Sequence, residues 1–325
     1  MSREMQDQKS NTKLQQESTT STIEVSGNVS KPNSQSRTRK FPITPLEALE
    51  DQPFPETAAC LIIGDEILNG KIVDTNSGFF AKFCFNLGID VKRIEVIPDE
   101  EDTIIEAVRR LSKKYDFVVT SGGVGTTHDD ITYPSIARAF GLELVYHQET
   151  IDRMMGVLQN HPILKKETSV EVITASKRMA LFPSPSLVVY PNETIWVPIV
   201  IVNNNVHILP GIPSLFRALL GEFGKYFSQQ GEKFIRVYVR TYQPESFIAP
   251  VLTEMQEKVA HLGVKIGSYP TWTSNKRWVV VSLLAREKRK SVVEELAKEV
   301  AEKINGHFIS KLEDLEESDV GKLKL

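Results

Sequence analysis

The sequence has little cysteine, no long hydrophobic run and no marked excess of one charge. Its 325 residues include two cysteines, Cys60 and Cys84, which are too few for a disulfide framework or a four-cysteine zinc site. A membrane-spanning helix needs about 18 consecutive apolar residues, and no such run occurs. Lysine and arginine number 39 against 42 acidic residues, so we expect neither a membrane partner nor nucleic-acid binding through bulk positive charge.

The amino-terminal segment, to about residue 40, lacks aromatic side chains and contains few aliphatic ones. It is rich in Ser, Thr, Gln, Asn and Lys and buries too little apolar surface to fold, so we expect a disordered tail over residues 1–45. It has neither the apolar core of a secretory signal nor the acid-poor composition of a mitochondrial presequence. We therefore expect a cytoplasmic protein, with the nucleus as the alternative, and reduced cysteines.

From residue 57, short apolar runs alternate with segments of helical periodicity. The run TAACLII at 57–63 ends at Gly64, as a buried strand would, and Phe79, Phe80 and Phe83 then recur at helical spacing. This alternation predicts a mostly parallel sheet with helices on both faces. The predicted strands are 57–63, 89–97, 116–120 and 142–146, and the predicted helices are 75–87, 102–113, 131–140 and 151–160.

The second half of the chain predicts two further units. Strands at 195–202 and 206–209 form a β-hairpin across an Asn-Asn-Asn turn, and LPGIP opens a helix that runs to about residue 227. After Gly231 the order β-α-β-β-α, with a last strand at 307–309, predicts a smaller ferredoxin-like α+β domain. We therefore place the α/β domain at 55–230, the small domain at 231–310 and an acidic tail at 311–325.

The loop SGGVGTTHDD, residues 121–130, joins a predicted strand to a predicted helix. Its glycines allow consecutive backbone N–H groups to surround an anion, and the following helix amino terminus favours phosphate. Asp129 and Asp130 would repel a phosphate unless a divalent cation bridged carboxylate and phosphate oxygens. The alternative interpretation is a tight turn in which Asp129 or Asp130 caps the helix.

Two further acidic loops follow the first and second predicted strands. GDEILNG contributes Asp65 and Glu66, and PDEED contributes Asp99, which lies nearest its strand end. Because the carboxyl ends of parallel strands meet at one edge of a sheet, we expect these side chains to converge with the glycine loop. Glu101 and Asp102 are instead typical of the first turn of a helix, where they complement its dipole.

Several other residues allow two interpretations. Asp74 or Asn76 would cap a helix in any protein. His128 is either an acid–base group or an exposed loop residue, and Cys84 is expected in the core rather than as a reactive thiol. The aromatic residues Tyr269, Trp272 and Trp278 would either stack on a flat ring or be buried in the core.

Five motifs occur in order over about residues 57–285: GDEILNG, DTN, SGGVGTTHDDIT, LPGIPSLF and IGSYP. Together they resemble the molybdopterin-binding-like domain of the competence/damage-inducible family. THDD and IGSYP fit the version at the amino terminus of animal-type FAD synthase better than the bacterial pattern. The resemblance implies a three-layer α/β fold and a divalent-metal-dependent pyrophosphatase that splits FAD into FMN and AMP, whereas the bacterial relatives are associated with nucleotide sugars such as ADP-ribose.

The resemblance and the acidic loops together suggest roles for individual residues. We expect catalytic roles for Asp130, Asp99 and Glu66, with Glu66 or His128 activating water. A divalent metal (Mg, Mn or Co) would be held by Asp99, Asp129 and Asp130. The residues expected to bind substrate are Gly122, Gly123, Gly125, Thr126, Asn76, Gly211 and Pro213.

The sequence departs from the resembled pattern in two ways. Thr126 stands where the family usually has proline, and the adenylyltransferase half of animal-type FAD synthase is absent. We therefore expect hydrolysis of FAD or a related dinucleotide rather than FAD synthesis, and family likeness implies a homo-oligomer. The alternatives are a non-catalytic nucleotide- or pterin-binding or scaffold protein, and molybdopterin adenylyl transfer.

Overall fold

The computed structural model describes residues 39–50, 52–160, 169–227, 231–272 and 277–309. The predicted acidic tail at 311–325 and all but the last residues of the predicted tail at 1–45 lie outside these ranges. Among the residues described, no helix combines the length and the apolar character that crossing a membrane requires.

Six apolar segments pair into the main sheet in the order β2-β1-β3-β8-β7-β6. The four strands from β2 to β8 run parallel, whereas β7 and β6 add to the sheet through antiparallel pairing. Strand β1 lies inside the sheet and is buried along nearly its whole length, because both faces are covered. The strands are β1 (Thr57–Ile63), β2 (Asp90–Ile97), β3 (Phe117–Ser121), β6 (Leu187–Val189), β7 (Ile199–Val202) and β8 (Val206–Leu209).

Helices cover the two faces of this sheet and give it three layers. Alternate residues of β1 enter different cores: Leu61 packs on one face, whereas Cys60 packs on the other. The first core includes α3 (Glu101–Lys114) and α4 (Thr132–Phe140), and the second includes α2 (Asn76–Leu87) and α7 (Pro213–Phe223). Cys84 lies in the second core beside Phe80, and burial raises the pKa of its thiol. The predicted fold class and the core position of Cys84 are confirmed.

Two predicted strands differ from the structure. The segment predicted at 142–146 as a strand of the parallel sheet is β4 (Glu143–Tyr146), which pairs antiparallel with β5 (Leu181–Ser184) in a separate two-stranded sheet. Its side chains are mostly exposed, whereas a strand of a covered parallel sheet must be buried on both faces. Strand β7 begins at Ile199 rather than at 195, because Pro198 has no N–H for the ladder.

The small domain has four antiparallel strands in the order β10-β11-β9-β12, with its helices packed on one face. This strand order and the β-α-β-β-α-β sequence are those of a ferredoxin-like layer, as predicted. Its elements are β9 (Phe234–Thr241), α8 (Glu245–Val259), β10 (Lys265–Trp272), β11 (Arg277–Arg286), α9 (Lys290–Lys303) and β12 (His307–Ile309). Three further helices belong to the first domain: α1 (Asp65–Leu68), α5 (Gln148–Asn160) and α6 (Val170–Lys177).

The two domains meet at the turn between α2 and β2. The ring of Phe85 stacks on Phe234 with centroids 5.3 Å apart. Arg286 donates from Nη1 to the carbonyl oxygen of Gly88 and, at 2.9 Å, to that of Glu232. Gly88 has a φ of 84°, and a Cβ there would overlap the Glu232 carbonyl. The close approach of these two segments of the chain therefore requires glycine.

Candidate functional site

A cleft of about 390 Å³ lies at the carboxyl edge of the main sheet, among the ends of β1, β3 and β8. The chain leaves β1 towards β2 on one side and returns to β3 on the other, so β1 and β3 flank a topological switch point. Ligands of open α/β sheets bind outside the carboxyl ends of strands at such a point. The cleft therefore lies where the topology favours a ligand.

A larger cavity of about 1090 Å³ lies at the opposite, amino edge of the same sheet. Two of its polar side chains, those of Asp116 and Asn205, are already hydrogen-bonded within the protein. Asp116 accepts hydrogen bonds from both the N–H and the hydroxyl of Thr57, and Asn205 donates to the carbonyl oxygens of Ser112 and Tyr115. Because these groups are satisfied without a ligand, size alone does not make this cavity the functional site.

The floor of the cleft consists of main chain. Gly122 has a φ of 116°, and a Cβ there would overlap the carbonyl oxygen of Ile63. Gly123 has a φ of 64°, and its Cβ would overlap the Thr132 hydroxyl. A Cβ on Gly211 would lie 3.2 Å from the Cα of Gly122. The ends of β1, β3 and β8 thus approach each other so closely that only glycine fits at the crossing.

The carboxylate of Asp130 holds the glycine loop together. It accepts hydrogen bonds from the N–H of Gly125 (2.6 Å), the N–H of Thr127 (2.8 Å) and the hydroxyl of Thr127 (2.6 Å). Thr132 holds the start of the loop, because its hydroxyl donates to the Gly122 carbonyl at 2.9 Å. Among the described residues, no acceptor takes the N–H groups of Gly123 and Val124, which remain available to an anion.

Asn76, in the first turn of α2, joins the ends of β3 and β8. Its Nδ2 donates to the hydroxyl of Ser121 at 2.9 Å and to the carbonyl of Gly211 at 2.8 Å. Asp74 accepts from the N–H groups of Asn76 and Ser77 and so caps the helix. The buried Oδ1 of Asn76 has no hydrogen-bond partner among the described residues, which makes it a candidate acceptor for a ligand.

Negative charge gathers beside the glycine loop. Glu66 lines the cleft, and Oδ2 of Asp99 accepts from the N–H of Asp65 at 3.0 Å. Burial raises the pKa of Asp99, and the charges of Glu66, Asp65 and Asp129 raise it further, against the Asp65 N–H, which lowers it. Among the residues the structure describes, no lysine or arginine lines the cleft. Within the described part of the chain, these carboxylates therefore have no cationic side chain beside them in the cleft lining.

The cleft brings most of the predicted site residues together. Thr126 lies in the same loop but outside the lining, and Asp129 is exposed. Asp99 adjoins the lining, since its Oδ1 lies 3.5 Å from the position that a Cβ on Gly123 would take. The predicted residues that line the cleft are Glu66, Asn76, Gly122, Gly123, Gly125, Asp130, Gly211 and Pro213.

The donor set fits a hard cation only in part. Within the described ranges, no group of three or more His, Cys, Asp or Glu side chains is arranged to hold a metal ion. Magnesium is often held by one or two carboxylates, with water and substrate phosphates completing its shell. The carboxylate of Asp99 lies near that of Glu66, with no described lysine or arginine in the lining, and fits this second arrangement.

Aliphatic side chains form the rim of the cleft, and the sequence did not point to two of them, Ile72 and Val73. Ile72, Val73 and Ile212 line it and are 49%, 80% and 58% exposed. Exposed aliphatic residues around a cleft are typical of a ligand site. The available signal was an apolar pair, Ile72 and Val73, within an otherwise polar loop.

The aromatic residues considered for ring stacking lie elsewhere. Trp278 is 3% exposed within the small domain, which agrees with the core interpretation, and Tyr269 belongs to the neighbouring strand. The side chain of Trp272 lies outside the described residues. His128 is exposed in the glycine loop and does not line the cleft.

Comparison with known proteins gives two family matches in tandem. Residues 59–229 match the model described as probable molybdopterin binding domain, and residues 233–313 match the model described as FAD synthase, middle domain. A probable FAD synthase of Caenorhabditis elegans is 30% identical over 272 residues, which cover 79% of this chain and 51% of that protein. An Archaeoglobus fulgidus protein without a functional name is 33% identical over 248 residues, covering 75% of this chain and 96% of its own length.

The chain spans about half the length of the Caenorhabditis relative. Among solved structures, the protein CinA of Thermoplasma acidophilum, whose function is described as unknown, is 29% identical with a TM-score of 0.46. That alignment covers 54% of this chain and 99% of the other. On the strength of the family matches, the chain belongs to the probable molybdopterin binding domain family and carries an FAD synthase middle domain after it.

Proposed function

We propose that this chain hydrolyses the diphosphate bond of a dinucleotide in a reaction that depends on Mg, Mn or Co, and that FAD is the substrate, giving FMN and AMP. The observation that carries the proposal is the cleft itself. Within the described residues, it combines backbone N–H groups of Gly123 and Val124 that have no acceptor with carboxylates that have no lysine or arginine beside them in the lining. A diphosphate needs hydrogen-bond donors, and a divalent cation needs carboxylate oxygens, so the cleft offers a binding partner to each.

Electrostatics favours a metal in this reaction. A diphosphate that enters the cleft meets Glu66, Asp74 and Asp130, and no described lysine or arginine lines the cleft to offset their charge. Burying like charges together is costly unless a counter-charge is supplied. When bound at Asp99, a divalent cation would supply that counter-charge and polarise a phosphoryl oxygen.

The chain's own groups have distinct tasks in the proposed reaction. The N–H groups of Gly123 and Val124 donate to phosphoryl oxygens on which charge develops. Glu66 accepts the proton of the attacking water, since it is the carboxylate of the first acidic loop that lines the cleft. Asp130 fixes the loop through its three hydrogen bonds, so it acts as a positioning residue.

Two observations support a substrate with a flat ring, and FAD in particular. The rim residues Ile72, Val73 and Ile212 offer aliphatic surface beside the anion-binding turn. A volume of about 390 Å³ is at the small end for ligand pockets, so it would enclose part of a dinucleotide and leave the rest at the rim. The match to an FAD synthase middle domain and the name of the Caenorhabditis relative support FAD over other dinucleotides.

The test is a substrate panel on the purified chain. FAD, ADP-ribose and NAD are incubated with Mg, Mn or Co, or with chelator, and products are separated by chromatography. We expect FMN and AMP only with metal, and at least about a hundredfold lower turnover in Glu66→Gln. Glu257→Gln, which changes an exposed carboxylate on α8, is the matched control. Absence of turnover for every diphosphate and metal would refute the proposal.

One observation favours a second function, ligand binding without turnover. The Asp130 oxygens are already bonded within the loop, and no preformed three-ligand metal group occurs in the described part of the chain. A nucleotide or pterin could then occupy the cleft through the N–H groups of the turn alone. Tight binding of FAD or FMN in chelator, measured by flavin fluorescence, with no product formed, would select this function.

A further inference from the structure

A second cavity, of about 390 Å³, lies where the two domains meet. On the side of the first domain it is bordered by Phe85 and Asp90, near the amino end of β2, whereas the cleft described above lies at the carboxyl end of the sheet. On the side of the small domain it is lined by three cationic side chains, Arg236, Lys265 and Arg286. The cavity is therefore a separate place on the molecule with its own charge.

Strand register places these cations at one end of one sheet face. Lys265 lies opposite Leu284, and Leu284 lies opposite Arg236. Lys265, Leu284 and Arg236 therefore form a row across β10, β11 and β9. Arg286 lies opposite Phe234 in the next same-face row. Neighbouring strands are about 4.8 Å apart, so the backbones at Lys265 and Arg236 are about 10 Å apart. Both side chains are long enough to reach one small anion between them.

Aromatic rings support both guanidinium groups. Arg236 lies 4.8 Å from the centroid of Phe85, and Arg286 lies 4.2 Å from that of Phe234. Arg286 is also fixed by its hydrogen bonds to the Gly88 and Glu232 carbonyls. Cations that are held in place before binding lose less conformational entropy when an anion arrives.

The described residues offset the positive charge of the cavity only in part. Lys288 is the main cause that lowers the pKa of the Glu232 carboxyl, and the charge of Arg286 lowers it further, while Arg236 hydrogen-bonds the Tyr238 hydroxyl. Within the described residues, no carboxylate forms an ion pair with Arg236, Lys265 or Arg286, and Asp90, which also lines the cavity, bonds Lys92. The buried Nε of Arg236 has no hydrogen-bond partner among the same residues. An unpartnered guanidinium N–H beside other cations is the arrangement that a phosphate satisfies.

We propose that this junction cavity binds a small phosphomonoester, with Arg236 and Lys265 contacting the phosphate and Arg286 adding positive charge. The occupant is a phosphate dianion carried by a small organic group, as in a nucleoside monophosphate, because the cavity is walled by Phe85 and Phe234 as well as by cations. This site is separate from the cleft, so the proposal does not depend on the proposed hydrolysis.

The experiment is titration calorimetry of the full chain with inorganic phosphate and with AMP, at fixed ionic strength. We expect Arg236→Gln and Lys265→Gln each to weaken binding at least about tenfold, because each loses a charge-assisted hydrogen bond. Lys298→Gln, which removes an exposed lysine of α9, is the matched control and should leave the affinity unchanged. Lys265 is exposed, so its replacement keeps the test valid even if Arg236→Gln unfolds.

Two results would overturn the proposal. One is no detectable heat with either phosphate or AMP at millimolar concentration. The other is binding that Arg236→Gln and Lys265→Gln, shown by circular dichroism to be folded, leave as tight as in the wild type. Weaker binding of AMP than of phosphate would retain the anion site but remove the organic group from the proposal.

Discussion

Gly122 occupies the most restrictive position of the cleft, since it combines a positive φ with main chain directly against it. In Gly122→Ala the new methyl group would overlap the Ile63 carbonyl at a φ of 116°. Left-handed strain and overpacking each cost about 1–3 kcal/mol, so we expect the free energy of unfolding to fall by about 2–6 kcal/mol. Urea denaturation of the two proteins measures the difference.

Gly78→Ala is the control for this substitution. Gly78 is exposed within α2, and a Cβ there meets no atom within 4 Å. Alanine in a helix is favoured over glycine by roughly 0.5–1 kcal/mol, so this variant should be as stable as the wild type or slightly more stable. Equal effects of the two substitutions would contradict the packing described at Gly122.

His207 should make the stability of the protein depend on pH. Its ring is buried against Phe117 and Phe223, and burial lowers its pKa to about 4, although hydrogen bonds to the Asn205 and Val118 backbone oppose this. The unfolded chain takes up the proton near pH 6.5, whereas the folded chain does so only near pH 4. Stability is therefore lost as the pH falls through this window, by about 2 kcal/mol between pH 7 and pH 5.

The measurement is the free energy of unfolding at pH 7 and pH 5 for the wild type and for His207→Leu. We expect the variant to lose most of that pH dependence, whatever its absolute stability. Replacing the exposed His261 with leucine should leave the pH dependence as it is. If His207→Leu retains the full wild-type difference, then His207 is not buried in its neutral form.

At the scale of the element, the glycine loop depends on one carboxylate. Asp130→Ala removes the acceptor of the Gly125 and Thr127 N–H groups, and each such bond to a charged group contributes about 1.5–3 kcal/mol. We expect the Gly125 and Thr127 amides to exchange hydrogen at least about tenfold faster, since exchange follows local opening. Hydrogen–deuterium exchange with mass spectrometry reports this directly.

Asp130→Asn retains one acceptor oxygen and should have an intermediate effect on the same amides. Asp102→Asn, in the exposed first turn of α3, should not change their exchange. Exchange in Asp130→Ala that matches the wild type would show that other contacts hold the loop.

Regular elements with a clear apolar pattern could be predicted from the sequence, and elements set by pairing partners could not. Strand β1 and strand β8 have the predicted bounds, because continuous β-branched and aliphatic runs end at glycine, asparagine or proline. Strand β4 has a similar local pattern but pairs with β5, a segment about 40 residues later. Local periodicity carries no information about that partner.

The candidate site was predictable where topology determines it. Strand ends of a parallel sheet converge, so the cleft contains the glycine turn, Glu66 and Asp130 as expected. The side-chain links could not be predicted, because Asn76 bonds Ser121 and Gly211 across 45 and 135 residues of chain. Whether Asp99 and Asp129 act in chemistry stays a prediction.

At the scale of the whole molecule, Arg286 couples the two domains. Arg286→Gln should weaken its hydrogen bonds to the Gly88 and Glu232 carbonyls and its contact with Phe234. We expect the junction to lose about 1–3 kcal/mol and the two domains to unfold in separate steps. Differential scanning calorimetry would then resolve two transitions where the wild type shows one.

Lys288→Gln tests the same region without the buried contacts. Lys288 pairs with Glu232 through side chains that are 66% and 36% exposed, and surface pairs of this kind contribute about 0–1 kcal/mol. The calorimetric profile of this variant should therefore resemble the wild type. Two transitions in Lys288→Gln, or one in Arg286→Gln, would assign the coupling to other contacts.

The crossing of Gly122, Ile63 and Gly211 has a consequence for how ligand preference can change in proteins of this build. In the proposed function, main-chain N–H groups hold the phosphate, so no side chain at this crossing can be exchanged to alter selectivity. Variation is confined to the surrounding aliphatic side chains at Ile72, Val73 and Ile212, which few other contacts constrain. The proposed site would therefore accept different ring systems through changes at these side chains while its main-chain contacts with phosphate stay the same.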